Sequence, residues 1–158
     1  MSSRTRSRSR APPCARASVE NVTRSEEETE AFGEALAARL SSRDVVYLLG
    51  DLGAGKTCLA RGLARGLGAA VREVASPTFA ILHEYGGAGG EIRLRHLDLY
   101  RLEDRAADLE ILGLPESVAG APVVVEWPGA AIRKLLPPTI EIRIGTLPDG
   151  ARRIAVGE

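Results

Sequence analysis

The feature that most constrains this chain is a glycine-rich stretch of eight residues at its centre. It fits the pattern G-x-x-x-x-G-K-[ST] at every fixed position and reads Gly50-Asp51-Leu52-Gly53-Ala54-Gly55-Lys56-Thr57. The apolar run Val45–Leu49 precedes it, as in a strand buried on both faces of a sheet. The glycine-rich stretch is followed by leucines spaced four residues apart, as on an amphipathic helix: Leu59, Leu63 and Leu67. We therefore predict a strand, a loop, and a helix from about Lys56 to Leu67.

Each residue type in this stretch has a physical role in holding phosphate. Glycines permit backbone angles that turn successive N–H groups inward, into a nest for anionic oxygens. The start of the following helix adds the positive end of its dipole. A lysine at position 56 would neutralise the outer phosphates, and the hydroxyl of Thr57 would coordinate Mg²⁺. The stretch thus predicts a site for a nucleoside triphosphate with magnesium.

A metal site of this kind needs a carboxylate in addition to the Thr57 hydroxyl. Two acidic residues each end a predicted strand and could provide it. Glu126 follows the apolar run Val123–Val125, and Asp98 follows the segment Glu91–Leu97. We assign Glu126 to the metal and Asp98 to positioning or activating the attacking water.

Two further positions near these motifs have more than one interpretation, and three further residues have one each. Ser76-Pro77-Thr78 lies about twenty residues after the loop, where a switch segment would sense the outer phosphate, although a simple Ser-Pro turn explains it equally well. Trp127 suits either the core or the nucleotide or partner surface. His83 and His96 lack metal-ligand spacing and are interpreted as ordinary strand residues. Cys58 is interpreted as a small helix residue near the phosphates.

The remaining pattern predicts one α/β domain with a mixed parallel and antiparallel sheet flanked by helices. A capping box, Ser25 to Glu28, predicts a helix to about Leu40. We also expect a hairpin of Phe79–Tyr85 with a half-buried strand Glu91–Leu97 around Gly86–Gly90. The other predicted elements are short helices at Asp104–Leu112 and Ala130–Leu135, and a second hairpin, Thr139–Ile144 with Arg152–Val156, around Pro148-Asp149-Gly150.

Charge is unevenly distributed in a chain of 158 residues with zero formal net charge. Residues 1–17 contain five arginines and no acid, which leaves 16 basic and 21 acidic residues, a net charge of −5, in the rest. We divide the chain into a disordered Arg- and Ser-rich tail (1–18) and a domain (19–158). A transit peptide or an RNA-touching arm is the alternative for the tail. With two cysteines and no apolar run of roughly 18 residues, we expect a cytoplasmic protein without a membrane partner.

Taken in order, four motifs resemble the bacterial TsaE (YjeE) ATPases: the loop at 50–57, Ser76-Pro77-Thr78-Phe79, Asp98-Leu99-Tyr100-Arg101 and Glu126-Trp127-Pro128. The resemblance covers about residues 20–156. It implies a P-loop ATPase required for N6-threonylcarbamoyladenosine (t6A) at position 37 of tRNA. Family members work with two proteins, TsaD and TsaB, and ATP hydrolysis is thought to reset that complex for further turnovers. Contact with tRNA is expected only indirectly or within the complex.

The resemblance also implies roles for individual residues. Asp98 and Lys56 are the expected catalytic residues, and Thr57 and Glu126 the expected metal ligands. The expected ATP-binding residues are Glu26, Gly50, Asp51, Gly53, Ala54, Gly55, Lys56, Thr57, Cys58, Gly150 and Arg152. The expected switch and partner residues are Ser76, Pro77, Thr78 and Trp127. Cys58 stands where a second threonine is common, and sequence does not distinguish Arg152 from Arg153.

Three alternatives remain open at this point. A small-molecule kinase needs a lid of arginines, but the arginines between the loop and Glu126 do not mark a helical lid. A GTPase is disfavoured because the base-reading motif [NT]-K-x-D is absent. A nucleotide-dependent adaptor with incidental hydrolysis overlaps the ATPase interpretation, since isolated P-loop proteins often hydrolyse slowly until a partner stimulates them.

Overall fold

The computed structural model describes residues 19–70, 81–100, 102 and 119–157. Three helices lie in these ranges: α1 (Glu26–Ala37), α2 (Lys56–Gly66) and α3 (Ala130–Leu135). The strands are β1 (Val19–Thr23), β2 (Val45–Leu49), β3 (Leu82–Gly86), β4 (Ile92–Asp98), β5 (Val123–Glu126), β6 (Ile140–Thr146) and β7 (Arg152–Gly157). None of the helices in these ranges has the length and apolar character needed to cross a membrane.

The strands form one sheet in the order β1-β7-β6-β2-β5-β4-β3. The four central strands β6, β2, β5 and β4 run parallel, whereas β7, β1 and β3 pair antiparallel with their neighbours. The predicted mixed sheet and both predicted hairpins are therefore confirmed. Because β2, β5 and β4 are parallel, their carboxyl ends meet at one edge, the usual place for a ligand in an α/β sheet.

Successive side chains of β2 enter two separate cores, as the pleat of a strand requires. Val46 and Leu48 are buried with the leucines of α2 on one face of the sheet. Tyr47 is buried on the other face, in a cluster that includes Ile132 of α3. The predicted burial of this strand on both faces is thus confirmed, and the loop that follows β2 begins from a fixed point.

Helix α1 begins where the capping box predicts. Ser25 is the N-cap residue, and its Oγ accepts a hydrogen bond from the Glu28 N–H at 3.1 Å. The carboxylate of Glu28 in turn accepts from the Arg24 N–H at 2.7 Å. Two otherwise unpaired donors at the helix start are satisfied in this way. The helix ends at Ala37, before the predicted Leu40.

Glycines allow α1 and α2 to pack at unusually close range. A Cβ atom added at Gly62 would lie 2.2 Å from the Glu30 carbonyl oxygen, and one at Gly66 would lie 2.4 Å from that of Glu34. These glycines cost helix propensity, about 1 kcal/mol each relative to alanine. Close packing is the structural reason for their presence.

One strand was missed, and one prediction about a strand is wrong. Strand β1 was not predicted, because only Thr23 of its five residues is buried and its pairing with β7 defines it. Strand β4 is not half-buried: it lies between β5 and β3, and residues 94–97 are all buried, including Arg95 and His96. The side chain of Arg95 is paired with Glu84 at 3.0 Å, which compensates for its burial.

Several predictions lie outside the described residues. These are the tail 1–18, the helix Asp104–Leu112, the segment Ser76-Pro77-Thr78 and the first residues of the strand Phe79–Tyr85. Among the others, helix Ala130–Leu135 is confirmed in both bounds.

Candidate functional site

The glycine-rich loop connects β2 to α2 and takes a conformation that depends on its glycines. Gly55 is the N-cap residue of α2 with φ +105°, a region that favours glycine. A Cβ there would lie 3.0 Å from Nε of Arg152. At the other end, a Cβ on Gly50 would lie 2.3 Å from the Ile144 carbonyl oxygen. The loop can hold this shape only with glycine at both positions.

Lys56 is turned back onto its own loop. Its ammonium donates hydrogen bonds to the carbonyl oxygens of Gly50 (2.6 Å) and Asp51 (2.8 Å). The same nitrogen lies 4.0 Å from the ring centroid of Trp127, a cation–π contact. Burial lowers the pKa of Lys56, and the neighbouring carboxylates only partly oppose that effect. The lysine is therefore held at the site but covered by an aromatic ring.

Glu126 is a buried carboxylate with two donors on one oxygen. It is 3% exposed, and its Oε1 accepts from the Thr57 hydroxyl at 2.9 Å and from Nε2 of His96 at 2.9 Å. Burial works against ionisation, but these hydrogen bonds and the charge of Lys56 outweigh it and hold the pKa of Glu126 below its usual range. An ionised carboxylate is thus fixed beside the loop.

Asp98 lies opposite Glu126 in the register of β4 and β5. Unlike Glu126, it is exposed, and its Oδ1 accepts a hydrogen bond from the Tyr100 N–H at 3.1 Å. Parallel pairing of adjacent strands thus brings both predicted carboxylates to the same edge of the sheet, with one buried and one open to solvent.

A cavity of about 450 Å³ unites these groups. It contains ten of the predicted site residues: Glu26, Gly53, Gly55, Lys56, Thr57, Cys58, Asp98, Glu126, Trp127 and Arg152. Four others do not line it, namely Gly50, Asp51, Ala54 and Gly150. Three lining residues were not predicted: Leu52, Arg61 and Tyr100.

Trp127 combines an unusual backbone with an aromatic contact. Its φ is +57°, the only positive value for a non-glycine residue in the described ranges. Its ring lies 4.9 Å, centroid to centroid, from that of Tyr100, which is itself half exposed. The two rings form a partly open aromatic border to the cavity, beside Glu126 and over Lys56.

The structure distinguishes the two arginines that begin β7. Arg152 lines the cavity, and its guanidinium lies 3.4 Å from Oγ1 of Thr29 on α1, whereas Arg153 is exposed and is not part of the lining. Gly150 lies in the preceding turn, which is tied to Arg24 through an ion pair of 2.9 Å with Asp149. Arg152 is therefore the better candidate for a nucleotide contact.

Cys58 faces α1 from the first turn of α2. Its thiol donates to the Glu26 carbonyl oxygen at 3.2 Å. Burial raises the pKa of this thiol, so the neutral form is favoured. This environment agrees with a small packing residue at the cavity rather than a nucleophile.

His96 is the site contact that sequence reasoning missed. Its hydrogen bond to Glu126 depends on β4 lying beside β5, which no local pattern encodes. The available signal was its position two residues before Asp98, which places the two side chains on the same face of the predicted strand. Interpreting His96 as an ordinary strand residue was incomplete.

The donor set suits magnesium held jointly with phosphate. Within the described part of the chain, no group of three or more His, Cys, Asp or Glu side chains is arranged to hold a metal ion alone. Magnesium is commonly bound through one or two protein oxygens together with substrate phosphates. Thr57 and Glu126, 2.9 Å apart at one cavity, provide such oxygens next to the loop.

Comparison with known proteins gives consistent results. The family described as "Threonylcarbamoyl adenosine biosynthesis protein TsaE" matches residues 23–154. A Treponema pallidum protein named tRNA threonylcarbamoyladenosine biosynthesis protein TsaE is 40% identical over 136 residues, which are 85% of this chain and 97% of that protein. The Bacillus subtilis protein of the same name is 43% identical over 129 residues, or 81% and 78% of the two chains.

A solved structure shows the same fold. The crystal structure of Bacillus subtilis YdiB matches with a TM-score of 0.66 and 34% sequence identity, covering 89% of this chain and 84% of that one. Sequence and structure therefore lead to the same group of proteins.

Proposed function

The chain belongs to the TsaE family, and from that premise we propose that it binds and hydrolyses ATP with Mg²⁺ in the biosynthesis of tRNA threonylcarbamoyladenosine. One observation supports this most directly: the side chains of Lys56, Thr57 and Glu126 converge on one cavity at the end of the loop 50–57. A phosphate nest, a cation and a buried carboxylate in one place are what a magnesium–triphosphate group requires.

In the proposed complex, the loop N–H groups and the start of α2 bind the phosphates. Lys56 leaves the carbonyl oxygens of Gly50 and Asp51 and donates to phosphate oxygens instead. Thr57 and Glu126 would hold Mg²⁺, which when bound neutralises charge that develops on the phosphates. Asp98, exposed at the cavity, would accept a hydrogen bond from the attacking water. Arg152 would supply a second cation from β7.

The proposed partners are the family's TsaB and TsaD proteins, with tRNA reached through their complex. Leu52 and Tyr100 support an interaction at the cavity, because they are exposed by 71% and 52% next to the nucleotide loop. Apolar side chains beside a site whose carboxylate is open to solvent fit an ATPase that is slow alone and faster with a partner.

Lysine substitution tests nucleotide binding. We expect Lys56→Ala to weaken binding of ATP·Mg about 10- to 150-fold, since hydrogen bonds to charged groups contribute about 1.5–3 kcal/mol. Isothermal titration calorimetry measures this directly. The matched control is Lys134→Ala, an exposed lysine on α3, which should bind as the unsubstituted chain does. Equal affinity for all three proteins would contradict the nucleotide site.

Function in tRNA modification needs a separate measurement. Cells depleted of the protein should lose t6A in bulk tRNA, measured by mass spectrometry, and the unsubstituted chain should restore it. An Asp98→Ala variant should bind ATP but fail to restore t6A. Restoration by that variant would favour an adaptor whose hydrolysis is incidental, and unchanged t6A on depletion would remove the pathway from the proposal.

A further inference from the structure

His96 is placed where it controls the orientation of Glu126. It lies in β4, 3% exposed, with its Nε2 2.9 Å from Oε1 of Glu126. The sheet places it across from Val124, two residues before Glu126 on the neighbouring strand. The hydrogen bond therefore runs diagonally between two parallel strands in the middle of the sheet, where the backbones are held on both sides.

In this hydrogen bond His96 is the donor and Glu126 is the acceptor. Nδ1 of His96 is buried and has no hydrogen-bond partner among the described residues. An ionised carboxylate can only accept, so Nε2 carries the proton and donates. Within the described part of the chain, the hydrogen bond from Nε2 to Glu126 is therefore the only one that the ring makes.

Thr57 and His96 differ in what happens when a ligand binds. Both donate to the same oxygen of Glu126. In the function proposed above, the oxygen of the Thr57 hydroxyl would also coordinate the metal, so the position of this donor depends on the bound ligand. The donor from β4 stays, because it is buried in the sheet and takes no part in ligand binding.

We infer that His96 is a positioning residue: it holds the Glu126 carboxylate in the orientation from which it binds the metal. This inference rests on the proposed function, since it concerns the same metal site. A hydrogen-bonding partner behind a ligating group commonly contributes about 10- to 100-fold to metal affinity. His96 itself touches neither nucleotide nor metal in this proposal.

The test measures how far Mg²⁺ strengthens ADP binding. The ADP affinity of each protein is determined by calorimetry in excess Mg²⁺ and in EDTA, and the ratio gives the coupling between metal and nucleotide. For His96→Asn, whose amide is too short to reach Glu126, we expect the ratio to fall about tenfold or more. For His96→Gln, whose longer amide reaches the position of Nε2, we expect the ratio to stay near that of the unsubstituted chain. Affinity in EDTA should be the same in all.

A matched control is available on the adjacent strand. His83 is the direct register partner of His96 in β3, and its ring centroid lies 6.1 Å away. His83→Asn should leave the ratio unchanged. If His96→Asn keeps the full ratio, or weakens ADP binding equally with and without Mg²⁺, the positioning role is wrong. If the unsubstituted chain shows no ADP binding or no gain from Mg²⁺, the proposed function itself fails.

Nuclear magnetic resonance gives a second readout that does not depend on the folding of His96→Asn. The chain has two histidines, so His83→Asn leaves His96 as the only imidazole. We expect its ¹⁵N spectrum to show a proton on Nε2, and the Nε2–H signal to move when Mg²⁺ joins the ADP complex. An Nε2 without a proton, or a signal that Mg²⁺ does not move, would overturn the inference.

Discussion

The two sides of the cavity are built in different ways. The loop wall, residues 50–57, is continuous in sequence, and its shape comes from glycine backbone angles and from the helix that starts within it. The carboxylate wall, formed by Asp98, Glu126 and Trp127, is assembled from the ends of two strands. Its geometry comes from the parallel register of β4 and β5.

This contrast separates local from tertiary determinants of one site. A change in the loop wall acts on backbone conformation, whereas a change in the carboxylate wall acts on side chains that sheet pairing has brought together. The first should alter nucleotide binding whether or not metal is present. A change in the carboxylate wall should alter mainly the gain in nucleotide affinity that Mg²⁺ provides.

The largest effect that would sharpen this contrast is expected at the carboxylates. Glu126→Ala should remove nearly all of the gain in nucleotide affinity from Mg²⁺, because it removes a proposed metal ligand, while affinity in EDTA should not fall. Asp98→Ala should lose far less of that gain, because Asp98 is exposed and is not assigned to the metal. Calorimetry with and without Mg²⁺ measures both, and the reverse order would exchange the two roles.

On the loop wall, Gly55→Ala should act without regard to metal. Its φ of +105° disfavours a side chain, and the new Cβ would meet Arg152. We expect a loss of about 1–2 kcal/mol in stability, with roughly tenfold weaker nucleotide binding in Mg²⁺ and in EDTA alike. The matched control is Gly68→Ala, at φ +81° with open space around it. Thermal unfolding should show similar destabilisation for both, and calorimetry a loss of affinity only for Gly55→Ala.

A smaller effect is expected where the two walls touch, at the contact of Lys56 with Trp127. Trp127→Leu keeps a non-glycine residue at the positive φ but removes the ring, so stability should fall by about 0.5–1 kcal/mol from the cation–π contact. The cation–π contact favours the charged ammonium, so its loss should lower the pKa of Lys56 further than burial already lowers it. The chain has two lysines, so the ¹³Cε signals of Lys56 and Lys134 can be titrated separately. An unchanged titration of Lys56 would show that the ring does not stabilise the ammonium.

The smallest effect concerns Cys58 at the edge of the loop wall. Because burial raises the pKa of its thiol, less thiolate is present at pH 8 than for a free cysteine, and alkylation should be slower and should accelerate only at higher pH. The measurement uses Cys14→Ser, which leaves Cys58 as the single thiol. Alkylation at the rate of a free cysteine would contradict the buried environment.

The sequence predicted the loop wall well because each of its features is local. The run Val45–Leu49 and the start of α2 at Lys56 follow from short patterns, and the capping box located the start of α1. The predicted carboxylates also meet at one edge, because the strands that carry them proved to be parallel neighbours.

What sequence could not provide depends on which elements become neighbours. Strand β1 exists through its pairing with β7, and the burial of Arg95 and His96 follows from the central place of β4. The choice between Arg152 and Arg153 is decided by which face of β7 points to α1. No pattern within a short window contains this information.

The backbone of Trp127 implies that stability and site architecture oppose each other at one residue. A left-handed conformation costs a bulky residue free energy that glycine would avoid, yet the chain carries its only tryptophan there. A Trp127→Gly exchange would relax the main chain directly after Glu126, but it would also remove the ring that covers Lys56. Removing backbone strain at this position would therefore make the protein more heat-resistant at the expense of one side of the cavity.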